Sequence, residues 1–265
     1  MSQSYLFHDA AEAQEYARLL ALAACADPLT LARMARIGLA KGWRVLEIGP
    51  GAGTLLAPLA EQVGESGAVD AIERDVRYLR DFTPEPIRII AQDALQWSPP
   101  ADDPGYDLIH LRYVLIHQAD GAALAQRCAQ WLKPGGWLLL EEPDFTQCRA
   151  IDAPAPVAHH INRVHDAICA LFESKGLDPA FGQRLPNLLR ALTPDSLVVE
   201  NHAPIVPGGA PQAEVMALSA DHLSAAYAAT GYCNLENVEE YRHALRNPRL
   251  WTLPLPTVAA WGRRN

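Results

Sequence analysis

The sequence predicts an α/β fold, a mostly parallel sheet with helices on both faces. From Trp43 onward, short β-type runs at 43–48, 68–73, 86–91, 106–112 and 136–142 alternate with helical patterns at 54–63, 75–82 and 120–132. Parallel strands need such crossovers. Sharp stops separate the runs: Gly-Glu-Ser-Gly at 64–67, and Pro134-Gly135-Gly136, which closes a helix and launches Leu138-Leu139-Leu140.

Ahead of the sheet, residues 9–25 read as an amphipathic helix, with Asp9 as N-cap and Glu12 three residues on. Asp27-Pro28 restarts the chain, a capping Asp before a proline at the first helical position. A second helix then runs to about Leu39 and stops at Gly42. Residues 1–42 are thus expected to form a helical cover and 43–265 the core. The first strand runs into Val45-Leu46-Glu47-Ile48-Gly49-Pro50-Gly51-Ala52-Gly53, and a helix-like run follows from Thr54. Pro58 is a mild irregularity, tolerable where a helix is starting. After Asp144 the texture changes: helices are expected at 154–176, 183–192 and 212–230, a strand near 196–205, a loop from Pro204 to Pro211, and a final strand at 256–261. Cap elements accordingly fall at about 150–192 and 204–232.

Composition narrows the partners. A net charge of −9 over 265 residues argues against a phosphate backbone, which is bound by clustered Lys and Arg. Five dispersed cysteines without a C-x-x-C spacing read as free thiols in a reducing compartment. The N-terminus lacks the basic and apolar regions of a signal peptide, and no apolar run is long enough to cross a bilayer. A cytoplasmic protein with neither nucleic-acid nor membrane partner is expected.

The glycine turn is where a ligand can approach. Glycine lacks the Cβ that would hold a ligand off the backbone, and the following helix offers free N–H groups. The spacing is G-x-G-x-G at 49, 51 and 53. Thr54 stands where a dinucleotide site has its third glycine, which points to a different adenosine-bearing ligand. In such sheets ligands bind at the carboxyl ends of the strands, where Glu47, Glu73 and Asp93 fall. Glu73 alone would serve a nicotinamide site equally well.

From about Trp43 to Asp144 the chain resembles the core of the class I S-adenosylmethionine-dependent methyltransferases. The glycine turn is similar to their motif I, Tyr106–His117 to their fourth-strand motif, and Leu132–Glu142 to the turn into their fifth strand. The resemblance implies a Rossmann-like seven-stranded sheet with an antiparallel last strand. It also implies a cofactor, S-adenosyl-L-methionine, lined by Glu47, Gly49, Gly51, Gly53, Glu73, Asp93 and Ala94, with Arg112 at its methionine portion. Glu47 would attract the sulfonium and amino group, Glu73 accept the ribose hydroxyls and Asp93 the adenine amino group. The N-terminal helices and the 204–232 insertion look like the variable cover of small-molecule members. Neither a catechol-type metal set nor an N/D-P-P-Y signature is present.

Methyl transfer to a protonated nucleophile needs a base, and His117, just past the fourth strand, is the candidate. The alternative is that it packs and holds a loop. Tyr113 either orients a substrate or packs beside the cofactor. His159, His160 and His165 do not share one helix face, so no metal is expected; one of them, or Asn162, faces the substrate. Glu142 and Asp144 either line the pocket mouth or are solvated, and Tyr5 and Phe7 either cover the cofactor or fray. The expected function is methyl transfer to an O, N or C nucleophile of a small molecule. A cyclase, lyase or isomerase that binds the same cofactor, or a non-catalytic partner protein, remains open, as does a homodimer.

Overall fold

Alternate residues of a strand face opposite ways, and the central strands here are largely apolar on both faces, so both must be covered. The computed structural model describes Leu6 and residues 12–79, 85–193 and 196–265. The strands are β1 (Arg44–Ile48), β2 (Ala68–Glu73), β3 (Ile87–Ala91), β4 (Tyr106–Arg112) and β5 (Leu132–Pro143). After them come β6 (Arg149–Asp152), β7 (Val198–His202), β8 (Val206–Pro207), β9 (Trp251–Leu253) and β10 (Thr257–Arg263). Seven form one sheet in the order β3-β2-β1-β4-β5-β10-β7, and β6-β9-β8 form a small antiparallel sheet beside it. The first five strands of the large sheet are mutually parallel, and β10 runs antiparallel to both its neighbours. The expected seven-stranded sheet with an antiparallel last strand is thus present, and strand order reverses between β1 and β4.

The helices are α1 (Glu12–Ile37), α2 (Leu56–Val63), α3 (Gly121–Trp131), α4 (Ala155–Ser174), α5 (Leu185–Leu192), α6 (Pro211–Ala229) and α7 (Leu235–Arg246). Val45, Leu108, Leu139 and Trp261 point to the face covered by α2 and the C-terminal half of α1. Leu46, Ile109, Leu138, Leu140 and Ala260 point to the other face, covered by α3–α7. Each fully buried Leu or Ile among them stabilises by about 1.5–3 kcal/mol. Among the described residues, no helix is long and apolar enough to cross a membrane.

Several elements differ from expectation, among them the small sheet, since no strand is expected at β6, β8 or β9. The two N-terminal helices are one continuous helix with Pro28 inside it. Asp27 does not cap a new start, because its carboxylate is taken by Arg112 Nη2 at 2.6 Å; the expected cap Asp9 and the covering residues Tyr5 and Phe7 lie outside the described residues. Of the pattern at 75–82, the described residues 75–79 form a 3-10 turn at Val76–Tyr78, with Asp75 accepting the Arg77 N–H; residues 80–82 lie outside the described residues. Helix α7 was not anticipated. Its capping box closes with Asn237 where the sequence signature has Glu or Gln, and its apolar face is only Val238, Tyr241, Ala244 and Leu245.

Helix α1 docks on a transverse row of charges. Glu47 and His110 are directly opposed on β1 and β4, while Ala259 on β10 is opposed by Glu141 on one side and Glu200 on the other. Arg33 crosses over this row to bind both Glu141 and Glu200, and Arg36 also binds Glu200. Thr30 donates to Glu141 Oε2 at 2.5 Å and accepts from Arg112 Nη1 at 2.8 Å. Removing one partner of a buried pair strands the other charge. Asp27→Ala should therefore cost about 3 kcal/mol, read as a lower midpoint of urea unfolding at unchanged slope. A loss below about 1 kcal/mol would mean that water solvates Arg112 well enough to replace Asp27.

Candidate active-site cleft

A cleft of about 270 Å³ opens at the carboxyl ends of β1, β2 and β4, where strand order reverses. Its floor is the glycine turn. Gly49 has φ +71°, and a Cβ there would lie 2.5 Å from Val114 Cγ2, so only glycine fits. Gly51 (φ +57°) lies under Leu19 of α1. Gly53 also adopts positive φ, but it is buried behind the turn and does not line the cleft. Of the expected cofactor residues, Glu47, Gly49, Gly51, Glu73, Asp93, Ala94 and Arg112 all border the cleft, as does Thr54. Glu73 Oε1 accepts the Asp75 N–H at 3.0 Å, and burial raises its pKa against the amides of Asp75, Arg74 and Gly51. Asp93 Oδ1 accepts the Leu95 N–H at 2.9 Å, fixing the turn after β3.

The other half of the cleft is a mostly apolar chamber. Its walls are Phe145, Ile168, Phe172, Val215, Met216, Leu223 and Leu255, with Ser219, Tyr227 and the Glu15–Arg18 ion pair of α1 among them. Arg18 donates to Glu15 from Nε at 2.8 Å and from Nη2 at 2.7 Å. Sequence reading expected a cover from the N-terminal helices and the 204–232 insertion but singled out none of these wall residues, because α6 is apolar around most of its circumference and its inward residues carry no chemical signature. It also looked to the wrong part of α4: His160 Nδ1 pairs with Asn237, Asn162 accepts the Ala150 N–H, and His165 packs edge-on against Tyr241. None of these, nor His159, lines the cleft; Ile168 and Phe172 do.

Glu142 and Asp144 also differ from expectation, being fully buried rather than solvated or at the mouth. Glu142 accepts the N–H groups of Val114, Leu115 and Ile116 at 2.7–3.2 Å, holding the 3-10 turn that carries His117. Burial nonetheless pushes its carboxyl up to about 8. Asp144 accepts from the Thr146 N–H and from Gln147 and Gln183. Between these anchors Tyr113 is held at φ +57°, a left-handed conformation unusual for a bulky residue, with its hydroxyl 2.7 Å from Thr257 Oγ1.

His117 borders the cleft next to Phe172 (ring centroids 6.0 Å apart). Burial, aided by the charge of Arg18, pushes its pKa down to about 3. The ring is therefore neutral at working pH and a poorer base than an ordinary histidine. His110 is the opposite case. Its Nδ1 lies 2.6 Å from Glu47 and its Nε2 3.0 Å from Glu141. Burial alone would lower its pKa, but the two carboxylates raise it to about 9. Glu141 is pulled down to about 2, as His110, Arg112 and Arg33 outweigh its burial.

A raised histidine pKa gives stability that is full below the unfolded value of 6.5 and is lost as pH rises through about 9. Glu142 adds a loss of the same sign between 4.5 and about 8. Above pH 8 His110 adds to the decline at up to about 1.4 kcal/mol per pH unit, joined as pH nears 9 by the five thiols that burial raises above their ordinary value. His110→Asn should flatten the pH 8–9 limb of a denaturant-midpoint profile; an unaltered limb would show that His110 is not charged in the fold.

Comparison with known proteins gives this cleft its relatives. A family model described as a methyltransferase domain matches residues 11–180. Methyltransferase str3 of Strobilurus tenacellus is 29% identical over 160 residues, covering 60% of this chain and 55% of that protein. A ubiquinone biosynthesis O-methyltransferase of Leptothrix cholodnii is 31% identical over 110 residues, covering 39% of this chain and 46% of that protein. The chain spans about half the length of the curated relatives it matches. Among solved structures, the [4+2]-cyclase SpnF superposes with TM-score 0.55 at 18% identity, covering 90% of this chain and 81% of that one, a likeness of fold. The family match, the reversed strand order and the carboxylates around the glycine turn agree: the chain belongs to the methyltransferase domain family, among the class I S-adenosylmethionine-dependent methyltransferases.

Proposed function

We propose that the chain transfers a methyl group from S-adenosylmethionine to a small, largely apolar acceptor held in the chamber beneath α1 and α6. The observation that carries this reading is the continuity of one cleft from the glycine turn and Glu73 to the apolar wall. The residues present fit the cofactor. Gly49 and Gly51 give the cleft a floor of bare backbone, and Glu73 is a half-buried carboxylate fixed by backbone amides, suited to accept two ribose hydroxyls. Asp93 and Ala94 would hold the adenine end, while Glu47 would face the positive amino and sulfonium groups.

The cofactor supplies an electrophilic methyl on a positively charged sulfur, and the reaction is an in-line displacement. The work left to the chain is placement, since aligned reactants gain most from pre-paid entropy. The apolar walls exclude water and hold the acceptor's body. His117, neutral and weakly basic, accepts a hydrogen bond and orients the nucleophile. The best acceptor therefore has a nucleophile that needs little deprotonation, such as an amine, a carboxylate or an acidic enol or phenol.

Incubation with labelled cofactor and a panel of apolar O, N and C nucleophiles should yield S-adenosylhomocysteine in equal amount to methylated product. Tight cofactor binding with product formed but no S-adenosylhomocysteine would point to a cyclase, lyase or isomerase instead. Glu73→Ala should weaken S-adenosylhomocysteine binding by about 1–3 kcal/mol through lost charge-assisted hydrogen bonds; unchanged calorimetric affinity in a folded variant removes the ribose assignment. His117→Ala should lower kcat more than cofactor affinity, and by less than the 10²–10⁴-fold range of a true general base.

A further inference from the structure

Glu47 is 2% exposed yet borders the cleft, and the partner that holds its carboxylate is His110. His110 has a carboxylate oxygen against each ring nitrogen, Glu47 at 2.6 Å and Glu141 at 3.0 Å. A neutral imidazole has one N–H and would turn a lone pair toward one of those carboxylates, so both nitrogens donate. Glu141 continues the chain of contacts into α1 through Thr30 and Arg33. No link is missing between the cleft wall and the helix. Three turns and more upstream, the same helix places Leu19 over Gly51 and Arg18 in the chamber wall.

We propose that His110 is a positioning residue of the cofactor site: donating from both ring nitrogens, it fixes the Glu47 carboxylate and couples it, through Glu141, to the docking of α1. Filling the cofactor half tightens α1, and a docked α1 tightens the cofactor, the two effects being equal by linkage. This rests on the cofactor reading above. Neither half of the coupling requires His110 to touch a ligand.

The test pairs calorimetric titration with S-adenosylhomocysteine and amide hydrogen exchange over residues 12–37, on the wild-type chain and His110→Gln. In the wild type, S-adenosylhomocysteine should slow exchange in α1. In His110→Gln, affinity should fall about tenfold, within the usual range of coupling, and the ligand-induced slowing should vanish. A merely structural role would speed exchange in both states but leave the ligand-induced difference intact; that result, or wild-type affinity in the variant, overturns the proposal. Failure of the wild type to bind S-adenosylhomocysteine overturns the cofactor reading itself and the proposal with it. If His110→Gln does not fold, nitrogen NMR of the wild type decides: both ring nitrogens of His110 should be protonated at neutral pH, and Nδ1 should shift on adding S-adenosylhomocysteine. A singly protonated ring, or an unmoved Nδ1, overturns the coupling.

Discussion

Charge balance under α1 is the constraint on which the arrangement of this protein rests. Four carboxylates (Asp27, Glu47, Glu141 and Glu200) meet four cations (Arg33, Arg36, Arg112 and protonated His110) across one face of the sheet. Such a network adds little net stability over an apolar core, because desolvation consumes most of the attraction. What it does impose is a single arrangement. If α1 lifts away, Glu141 loses Thr30 and Arg33, and Arg112 loses Asp27 and Thr30. The helix therefore has one seat, and the cleft that its N-terminal half closes has one shape.

The residues after β4 show the same economy on the opposite side of the site. Tyr113 holds a left-handed backbone, Val114 fills the space that a side chain at Gly49 would take, and Glu142 ties down three successive amides. Strain of this kind persists only where surrounding contacts over-determine it. The turn carrying His117 is thereby a fixed wall of the cleft, and its imidazole is shielded enough to stay uncharged.

Much of the fold was legible because its signals are local. The strand-turn-helix at Glu47–Thr54, the acidic strand ends at Glu73 and Asp93, and the β/α alternation each lie within a few residues of one another. The misreadings share another origin, which is that their partners are distant in sequence. Asp27 reads as a cap until Arg112 claims it across 85 positions, and Glu142 reads as solvated until the amides of 114–116 close on it. His110 drew no reading of its own from the sequence, since only strand register sets it between Glu47 and Glu141. Gly53 shares the turn's spacing with Gly49 and Gly51, yet spacing does not tell which glycine of a turn faces a ligand. The chamber wall was the least legible part, because apolar residues on α4 and α6 look the same whether they fill a core or border a cleft.

The cleft's lining is partitioned along the chain. Its turn-and-carboxylate half comes from residues 47–94, whereas most of the chamber wall comes from residues after 143 on α4, α6 and the segments around Phe145 and Leu255. A substitution at Val215, Met216 or Leu223 therefore reshapes one compartment and leaves the other's backbone alone. Such separation lets the chamber's shape be changed through residues of the C-terminal half while the turn and its carboxylates keep theirs. Helix α1 and the segment 112–118 are the exceptions: Leu19 and Arg18 are neighbours on α1 yet face different compartments, as Arg112 and His117 do on the segment after β4.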